Sequence, residues 1–581
     1  MSDKLLLMVT SENGLTGRIK ADQERLGRTV VVETVATADD MERAVAAHQP
    51  DAILCPFLKT RVPRSLYRHR LAIVHPGVLG DRGAYSLDWA ILEGHPVGGV
   101  TLVAPGDPSV GEDNDEAESP AEGWDSGPVW AYRTVNLPVA TKSELYNTAI
   151  ADAAVDAARD FVDNALTPRF VPTPQHLLPR PVPTARTHPA MTRQRRMVDF
   201  AASTAEVLRT IRAADGSPGA LADLEGLPLR VYNAHAGRRG RDDARPGQVL
   251  TRAHETVEVA TSDGSIYLGH ARDLSGTVPT CKGPITTVLA RAGVDLTRIP
   301  VDANPARPAI TYTRDGLVGT VDIRIYNGAM SVNTCSRLVQ ALRHAKRQPT
   351  RIILLRSSGP FFSNGLHLGQ IQLAADPATE AYTNLVAINM VVRELLTTCD
   401  PHGQTAAGQV AVVAAGGSAG AGGAVLAMAA DHLIATERAM FTTSYRRMGL
   451  TGSEFHTLVL PRRAGESIVA DLLDNPRTID SRHALDLGLV DEILPNDGFA
   501  EHAHQRAQQY ACSPDWERLL RGTRATHLAA LAGRSLDEIE SRELAQMSRD
   551  VSSNAFHDLR AEFLGVPSAV TGPARPMSRV A

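Results

Sequence analysis

Cysteine is scarce in this chain, and its pattern argues against two kinds of protein. The five cysteines are Cys55, Cys281, Cys335, Cys399 and Cys512. They are scattered and odd in number, and no two form a CxxC pair, which argues against a disulfide framework and against a zinc site. The sequence therefore predicts a protein of the reducing cytoplasm that binds no metal.

A strong net charge and long apolar runs are also missing. The chain carries 60 basic and 65 acidic residues, a formal net charge of −5, which gives no electrostatic case for binding nucleic acid. No stretch approaches the roughly 18 apolar residues that a membrane span needs, and the apolar run near the N-terminus is too short for a signal peptide. We therefore expect small-molecule substrates, and neither nucleic acid nor a membrane as a partner.

The first pattern present is an alternation of strands and helices. Apolar runs at 4–9, 29–35 and 52–57 predict buried strands, with helical segments between them. This alternation predicts an α/β domain with a doubly wound parallel sheet over residues 1–166. No G-x-G-x-x-G follows the first run, so the fingerprint of dinucleotide binding is absent.

A candidate site follows the apolar run LAIV, which ends on His75 and leads into a polar, glycine-rich loop. A histidine at the carboxyl end of a strand lies where open α/β sheets bind ligands. The turn WDSGP presents Asp125, so two strand ends could supply an acid–base pair. The alternative is a surface loop with an incidental histidine.

These residues resemble the catalytic region of the formyltransferases that use formyltetrahydrofolate. The matching motifs are Ile73-Val74-His75-Pro76-Gly77, Gly99-Val100-Thr101 and Asp125-Ser126-Gly127. The resemblance implies formyltetrahydrofolate as a cofactor and His75 and Asp125 as catalytic residues. Ile73 stands where that family has an oxyanion-polarising asparagine, and we expect this apolar replacement to disfavour hydrolysis.

The same resemblance extends over most of the first half of the chain. It implies that the corner Cys55-Pro56-Phe57-Leu58 lines the folate pocket, mostly through backbone groups. After a proline-rich linker, it implies a small β-barrel-like domain over residues 184–272, which begins with a helix at Val198–Ala213.

Residues 309–495 resemble the crotonase (enoyl-CoA hydratase/isomerase) superfamily, with a helical extension over 496–566. The matching features are a hairpin at Arg314-Asp315-Gly316 and two glycine-rich loops, SNGL and AGAGG. Glycines free backbone N–H groups, and two such donors can hold a thioester oxygen as it gains negative charge. The resemblance implies a crotonase-type ββα spiral, coenzyme A as a ligand, and the amides of Leu366 and Gly422 as the oxyanion donors.

The crotonase-like half departs from the hydratases of that superfamily. Val425 and Tyr445 occupy the positions of the two hydratase glutamates, and His367 replaces the usual aspartate. Hydration of an enoyl thioester is therefore not expected. Tyr445 and Glu454 are the remaining candidates for acid–base chemistry. The alternatives are a packed aromatic for Tyr445 and a residue stabilised at a helix start for Glu454.

A formyltransferase-like half in front of a crotonase-like half resembles the maturation factors of nickel–iron hydrogenases. That resemblance implies an enzyme that transfers a formyl group to coenzyme A and then decomposes formyl-CoA to carbon monoxide and CoA, in contact with other hydrogenase maturation proteins. Since CoA carries phosphates, arginines should line its path. The candidates for binding CoA are Gly365, Arg18, Arg133 and Arg542.

Two rival functions stay open. One is a hydrolase that releases formate, with a degenerate crotonase-like half that only binds CoA. The other is a non-catalytic assembly factor that uses both pockets as sensors.

Overall fold

The structure is a computed structural model, and it describes residues 3–106, 124–180, 182–183, 185–238, 244–400, 408–443 and 445–567. The chain divides into two compact units. One comprises residues 1–250 and 258–269, and the other comprises residues 251–257 and 270–580. Among the described residues, no helix is both long enough and apolar enough to cross a membrane.

The chain begins with the predicted alternation of strands and helices. The strands are β1 (Lys4–Val9), β2 (Thr29–Thr34), β3 (Ala52–Phe57), β4 (Leu71–His75), β5 (Val97–Val103) and β6 (Val129–Asn136), and the helices are α1 (Gly14–Arg25), α2 (Ala38–His48), α3 (Ser86–Leu92), α4 (Lys142–Leu145) and α5 (Ala151–Leu166). They form one sheet in the order β2-β1-β3-β4-β5-β6. Strands β1 to β4 are parallel, whereas β5 is antiparallel to both neighbours. The α/β fold is confirmed, but the sheet is mixed, because apolar runs do not report strand direction.

Two cores flank this sheet because successive side chains of a strand point to opposite faces. Leu5 and Leu7 of β1 pack in the core that contains α1 and α5. Leu6 and Met8 pack in the core that contains α2. The sheet is therefore covered on both faces, and its carboxyl edge, where β4 ends, is left for a site.

The middle of the chain forms a small β structure. Its elements are α6 (Thr204–Ala214), β7 (Ala220–Leu224), β8 (Leu227–Ala236), β9 (Val249–Ala253), β10 (Thr256–Ala260), β11 (Ser265–Asp273), β12 (Gly283–Pro284) and α7 (Ile285–Arg291). The strand order is β7-β8-β11-β10-β9, with β12 beside β11. The predicted start of the helix at Val198 was wrong. The helix begins after Ser203, since Ser203 and Glu206 form a capping box.

The second unit contains the crotonase-like elements and the terminal helices. They are β13 (Ile310–Asp315), β14 (Val318–Ile323), β15 (Ala329–Met330), α8 (Val332–Lys346), β16 (Ile352–Ser357), β17 (Phe361–Ser363), β18 (Gly365–Leu366), α9 (Leu368–Leu373), α10 (Pro377–Leu396), β19 (Val410–Ala415), β20 (Ser418–Gly420), α11 (Gly422–Met428), β21 (His432–Thr436), β22 (Met440–Thr442), α12 (His456–Ala464), α13 (Glu466–Asp474), β23 (Ile479–Asp480), α14 (Ser481–Asp486), β24 (Glu492–Leu494), α15 (Phe499–Ala511), α16 (Trp516–Leu531), α17 (Leu536–Val551) and α18 (Asn554–Leu564).

Two sheets and one short strand pair organise this unit. The larger sheet has the order β13-β14-β16-β19-β21-β24, the smaller has the order β17-β20-β22-β23, and β15 pairs with β18. Helices α8, α10 and α11 bury their apolar faces in one large core against the sheets. The short strands β17 and β20 pair in parallel and lead into the two glycine-rich loops, so the fold brings both loops to the same end of the core.

Candidate active sites

His75 and Asp125 meet in the first unit. His75 Nδ1 lies 3.2 Å from Asp125 Oδ2, and the two side chains are 5% and 15% exposed. The Gly83 amide donates to the same carboxylate oxygen at 3.2 Å. On the other side of the ring, His75 Nε2 lies 3.2 Å from Ser86 Oγ. The structure thus brings the two predicted residues together at the end of β4.

Electrostatics couple this pair. Burial alone would lower the pKa of His75, but the nearby Asp125 carboxylate, helped by Asp81, outweighs burial, and the pKa is raised. Burial acts to raise the pKa of Asp125, and the charge of His75 and the Gly83 N–H reverse this, so the Asp125 pKa is lowered. His75 therefore takes up a proton more readily than an isolated histidine does, beside a carboxylate that stays ionised.

Gln175 supports the turn that carries Asp125, and sequence reasoning missed it. Its Nε2 donates to the carbonyl oxygens of Asp125 and Gly127 at 2.6 and 3.0 Å. Asp125 has a φ of 51°, a left-handed conformation that needs such support. The sequence gives little indication of this contact, because Gln175 lies 50 positions after Asp125, within the proline-rich linker.

The predicted folate corner lies at the end of β3. Cys55 pairs in register with Ile73 of β4 and is fully buried, and burial raises the pKa of its thiol to about 12. Ile73 is half-buried and packs against Leu79 and Val103. Cys55 can therefore face a ligand only through its backbone, while Pro56, Phe57 and Leu58 complete the corner.

The two arginines expected to bind CoA in this unit are both paired with acids. Arg18 contacts Asp152, and Arg133 Nη2 donates to Asp160 Oδ2 at 2.6 Å. Arg18 keeps one buried nitrogen, Nη1, without a hydrogen-bond partner. Of these two arginines, Arg18 therefore retains an unused donor for an anion, and Arg133 is bound to an aspartate and to the carbonyl of Tyr132.

In the second unit, the two glycine-rich loops converge. Gly365 has a φ of 74°, and a side chain built there would lie 3.3 Å from the Gly422 nitrogen. Gly422 is the first residue of α11, so its N–H has no acceptor within the helix. Leu366 follows Gly365 on β18. The expected oxyanion donors thus lie on adjacent loops.

Tyr445 and Glu454 lie beside the Gly422 loop and touch each other. The Tyr445 hydroxyl donates to Glu454 Oε2 at 2.6 Å, and the residues are 3% and 1% exposed. A side chain built on Gly422 would lie 2.4 Å from Glu454 Oε1, so this carboxyl group packs directly on the glycine. Glu454 has a φ of 62°, and its N–H donates to Asn389 Oδ1 at 2.8 Å. The carboxyl group of Glu454 therefore faces the predicted oxyanion loop, and the hydroxyl of Tyr445 contacts that carboxyl group.

Burial is the largest influence on the pKa values of Tyr445 and Glu454. It raises the pKa of Glu454, with the Glu543 charge in the same direction, and the hydrogen bond from Tyr445 only partly opposes it. The pKa of Tyr445 lies well above its usual value because of burial and the adjacent Glu454. Tyr445 therefore keeps its proton, and Glu454 is the member of the pair that gains or loses one. Val425 is fully buried in α11 and supplies no carboxylate.

A buried arginine on α18 is a second residue that sequence reasoning missed. Arg542, the predicted candidate on α17, is exposed. Arg560 is 2% exposed, and its nitrogens contact the neutral partners Gln372 Oε1 at 2.9 Å and His557 Nδ1 at 3.0 Å. Its Nη1 has no partner, and no carboxylate among the described residues pairs with it. A buried guanidinium with only neutral contacts suits an anionic ligand.

One group of possible metal ligands lies elsewhere in this unit. Cys399, Asp431 and His527 bring their ligand atoms within 4.8 Å of one another. His527 Nε2 is already 2.6 Å from Asp431 Oδ1, and the Arg462 guanidinium lies 2.9 Å from the same nitrogen. A cation at this nitrogen would meet a positive charge, so the cluster is better described as a buried ion network.

Two family models match the chain, in the order of its two halves. Residues 190–278 match the formyl transferase C-terminal domain, and residues 320–542 match the enoyl-CoA hydratase/isomerase family. The chain is also 29% identical over 226 residues to the methionyl-tRNA formyltransferase of Myxococcus xanthus, a match that covers 38% of this chain and 65% of that protein. The fold and both sites thus define a formyltransferase-like half joined to a crotonase-like half.

Relatives with the same two halves match almost the whole chain. The hydrogenase maturation factor HoxX of Bradyrhizobium diazoefficiens is 32% identical over 507 residues, 86% of this chain and 83% of that protein. The crystal structure of HypX from Aquifex aeolicus in complex with tetrahydrofolic acid has a TM-score of 0.84 at 29% identity, with 96% of this chain and 95% of that chain covered. The chain belongs to the HypX/HoxX family of hydrogenase maturation factors.

Proposed function

We propose that this protein makes carbon monoxide for hydrogenase maturation in two steps. The first unit transfers the formyl group of formyltetrahydrofolate to the thiol of CoA, and the second unit splits formyl-CoA into carbon monoxide and CoA. The observation that carries the proposal is the Tyr445–Glu454 pair, whose carboxyl group packs on Gly422 of the oxyanion loop. Hydratases instead have two carboxylates at such a site, and these activate water. The tetrahydrofolic acid complex of a relative supports the first step.

In the first step, a C–S bond forms and the bond from the formyl carbon to the folate nitrogen breaks. His75, held by Asp125, takes the proton from the CoA thiol and delivers it to the departing nitrogen. Ile73 presents an apolar side chain to the reacting formyl group. The family has an asparagine there, whose amide would polarise the formyl carbonyl and order water. A thiolate sheds its hydration more easily than hydroxide, so this surface favours transfer over hydrolysis.

In the second step, the formyl C–H bond and the C–S bond of formyl-CoA break, and no water is consumed. Glu454 takes the formyl proton, the C–S electron pair leaves with the sulfur, and Glu454 returns the proton to the sulfur, which regenerates CoA. The Leu366 and Gly422 amides hold the formyl oxygen. Tyr445 donates to the Glu454 carboxylate and fixes its orientation. In the second unit, Arg560 is the candidate cation for the phosphates of CoA, because it is buried and has no carboxylate partner among the described residues.

The test is incubation with formyltetrahydrofolate and CoA, with the carbon monoxide trapped by reduced haemoglobin. Tyr445→Phe and Glu454→Gln should each stop its release while formyl-CoA accumulates. Calorimetric CoA binding should stay nearly unchanged, because neither change alters the loops or the arginines.

The matched controls are Tyr510→Phe and Glu492→Gln, since Tyr510 and Glu492 form a second tyrosine–glutamate contact, at 3.3 Å, in the same unit. These variants should release carbon monoxide at the normal rate. Full yield from both Tyr445→Phe and Glu454→Gln would remove the pair from the mechanism. Formate without any carbon monoxide from the unaltered protein would identify a hydrolase instead.

A further inference from the structure

A buried histidine, His367, and a half-buried one, His270, meet next to the oxyanion loop. His270 Nε2 and His367 Nε2 lie 3.3 Å apart, and the rings are parallel to within 5°. His367 immediately follows Leu366, the expected oxyanion donor, and it is 6% exposed. His270 lies on β11 against the ring of Tyr326, with 4.5 Å between ring centroids. Neither histidine has a role in the two steps proposed above.

The hydrogen bonds of His367 determine where the protons of both rings lie. The backbone N–H of Gln370 donates to His367 Nδ1 at 3.1 Å, so Nδ1 carries no proton. The proton of the neutral ring is therefore on Nε2, from which it is donated to His270 Nε2. His270 in turn carries its own proton on Nδ1. The pair is thus fixed in one arrangement, with both imidazoles neutral.

Further hydrogen bonds join this pair to the loop. The His367 N–H donates to Asn384 Oδ1 at 3.1 Å, and Asn384 Nδ2 donates to the Met330 carbonyl at 2.9 Å. Met330 is the register partner of Leu366 in the β15–β18 pair. The imidazole of His367, its N–H and the strand beside it therefore fix the peptide units on either side of Leu366.

We propose that His270 and His367 are positioning residues that hold the Leu366 amide in the geometry needed to bind a thioester oxygen, an inference that rests on the proposed function.

The positions of the ring protons on His270 and His367 determine the effect of each substitution. His270→Phe keeps an aromatic ring against Tyr326 but removes the acceptor of the buried His367 Nε2–H. His367 cannot move that proton to Nδ1, because Nδ1 already accepts a hydrogen bond from the Gln370 N–H. His367→Asn supplies an oxygen for the Gln370 N–H, and its shorter side chain places no donor at the position of Nε2. His270→Phe should therefore be harmful when position 367 is histidine and nearly harmless when it is asparagine.

Two readouts separate positioning from folding. With formyl-CoA supplied directly, His270→Phe should lower kcat for carbon monoxide release by roughly 10-fold, less than the 10²–10³ that deletion of a whole oxyanion donor costs, with KM for formyl-CoA little changed. The carbonyl stretch of bound carbonyl-13C acetyl-CoA should be shifted to lower frequency in the unaltered protein and less so in His270→Phe. The control is His344→Phe, which alters a histidine that packs on Tyr312 at 4.9 Å and should change neither readout.

The double variant makes the test independent of the folding of His270→Phe. His270→Phe/His367→Asn should match His367→Asn alone in kcat and in carbonyl frequency. A further loss in the double variant would overturn the positioning role, as would a normal carbonyl shift in a folded His270→Phe. If the unaltered protein shows no shift, the oxyanion assignment within the proposed function fails together with this inference. If the carbonyl shift is present in the unaltered protein and is reduced in His270→Phe but not in His344→Phe, the result supports both the oxyanion assignment and the positioning role.

Discussion

The charge of Asp125 sets the proton affinity of His75, since burial acts in the opposite direction. In Asp125→Asn, burial should dominate and the pKa of His75 should fall. A general base works in its deprotonated form, so the acidic limb of kcat/KM for formyl transfer should move to lower pH, with a lower plateau. A pH–rate series measures this, with the exposed Asp163→Asn as control. An unmoved limb would mean that His75 is not the titrating base.

Residue contacts were predictable from the sequence where the chain is locally continuous, or where strand ends and a family motif mark both partners, as for His75 and Asp125. Tyr445 and Glu454 are nine positions apart on one stretch, and their contact is consistent with that proximity. Arg560, Gln175 and Asn389 come from distant segments, and no local pattern indicates them. An arginine on a charged terminal helix looks the same in sequence whether it is solvated, as Arg542 is, or buried, as Arg560 is.

Among the elements, strands and helices were predictable where periodicity is strong, and boundaries and directions were not. The misplaced start of α6 had a readable signal, because Ser203 and Glu206 have capping-box spacing ahead of an apolar run. The antiparallel direction of β5 had none, since its buried, apolar sequence fits either direction. The glycine-rich loops were found because glycine is required where Gly365 takes a left-handed conformation.

The start of α11 contains strain that can be measured. Ala421 has φ 47° and ψ −125°, a conformation that favours glycine. Ala421→Gly should therefore raise the free energy of unfolding by about 1 kcal/mol. Ala424→Gly, in the regular part of the same helix, should lower it by about 1 kcal/mol. Denaturant titration measures both, and a loss of stability in Ala421→Gly would show that the alanine is not strained.

For the whole molecule, each set of catalytic candidates lies within one compact unit. Each partial reaction should therefore continue when a substitution blocks the other one. His75→Ala should lower formyl transfer by roughly 10²–10⁴, the range for one general acid–base group, yet convert supplied formyl-CoA to carbon monoxide normally. Glu454→Gln should form formyl-CoA normally and release no carbon monoxide. Loss of both reactions in either folded variant would contradict this division.

The paired histidines also constrain how this family can change over time. His270 and His367 are 97 positions apart, yet the proton that His367 donates needs His270 as its acceptor and sets the tautomer of His270. A replacement at one position strands a buried donor or acceptor unless the other position changes as well. Related sequences should therefore keep both histidines or lose both, so positions 270 and 367 should covary although they lie in distant segments of the chain.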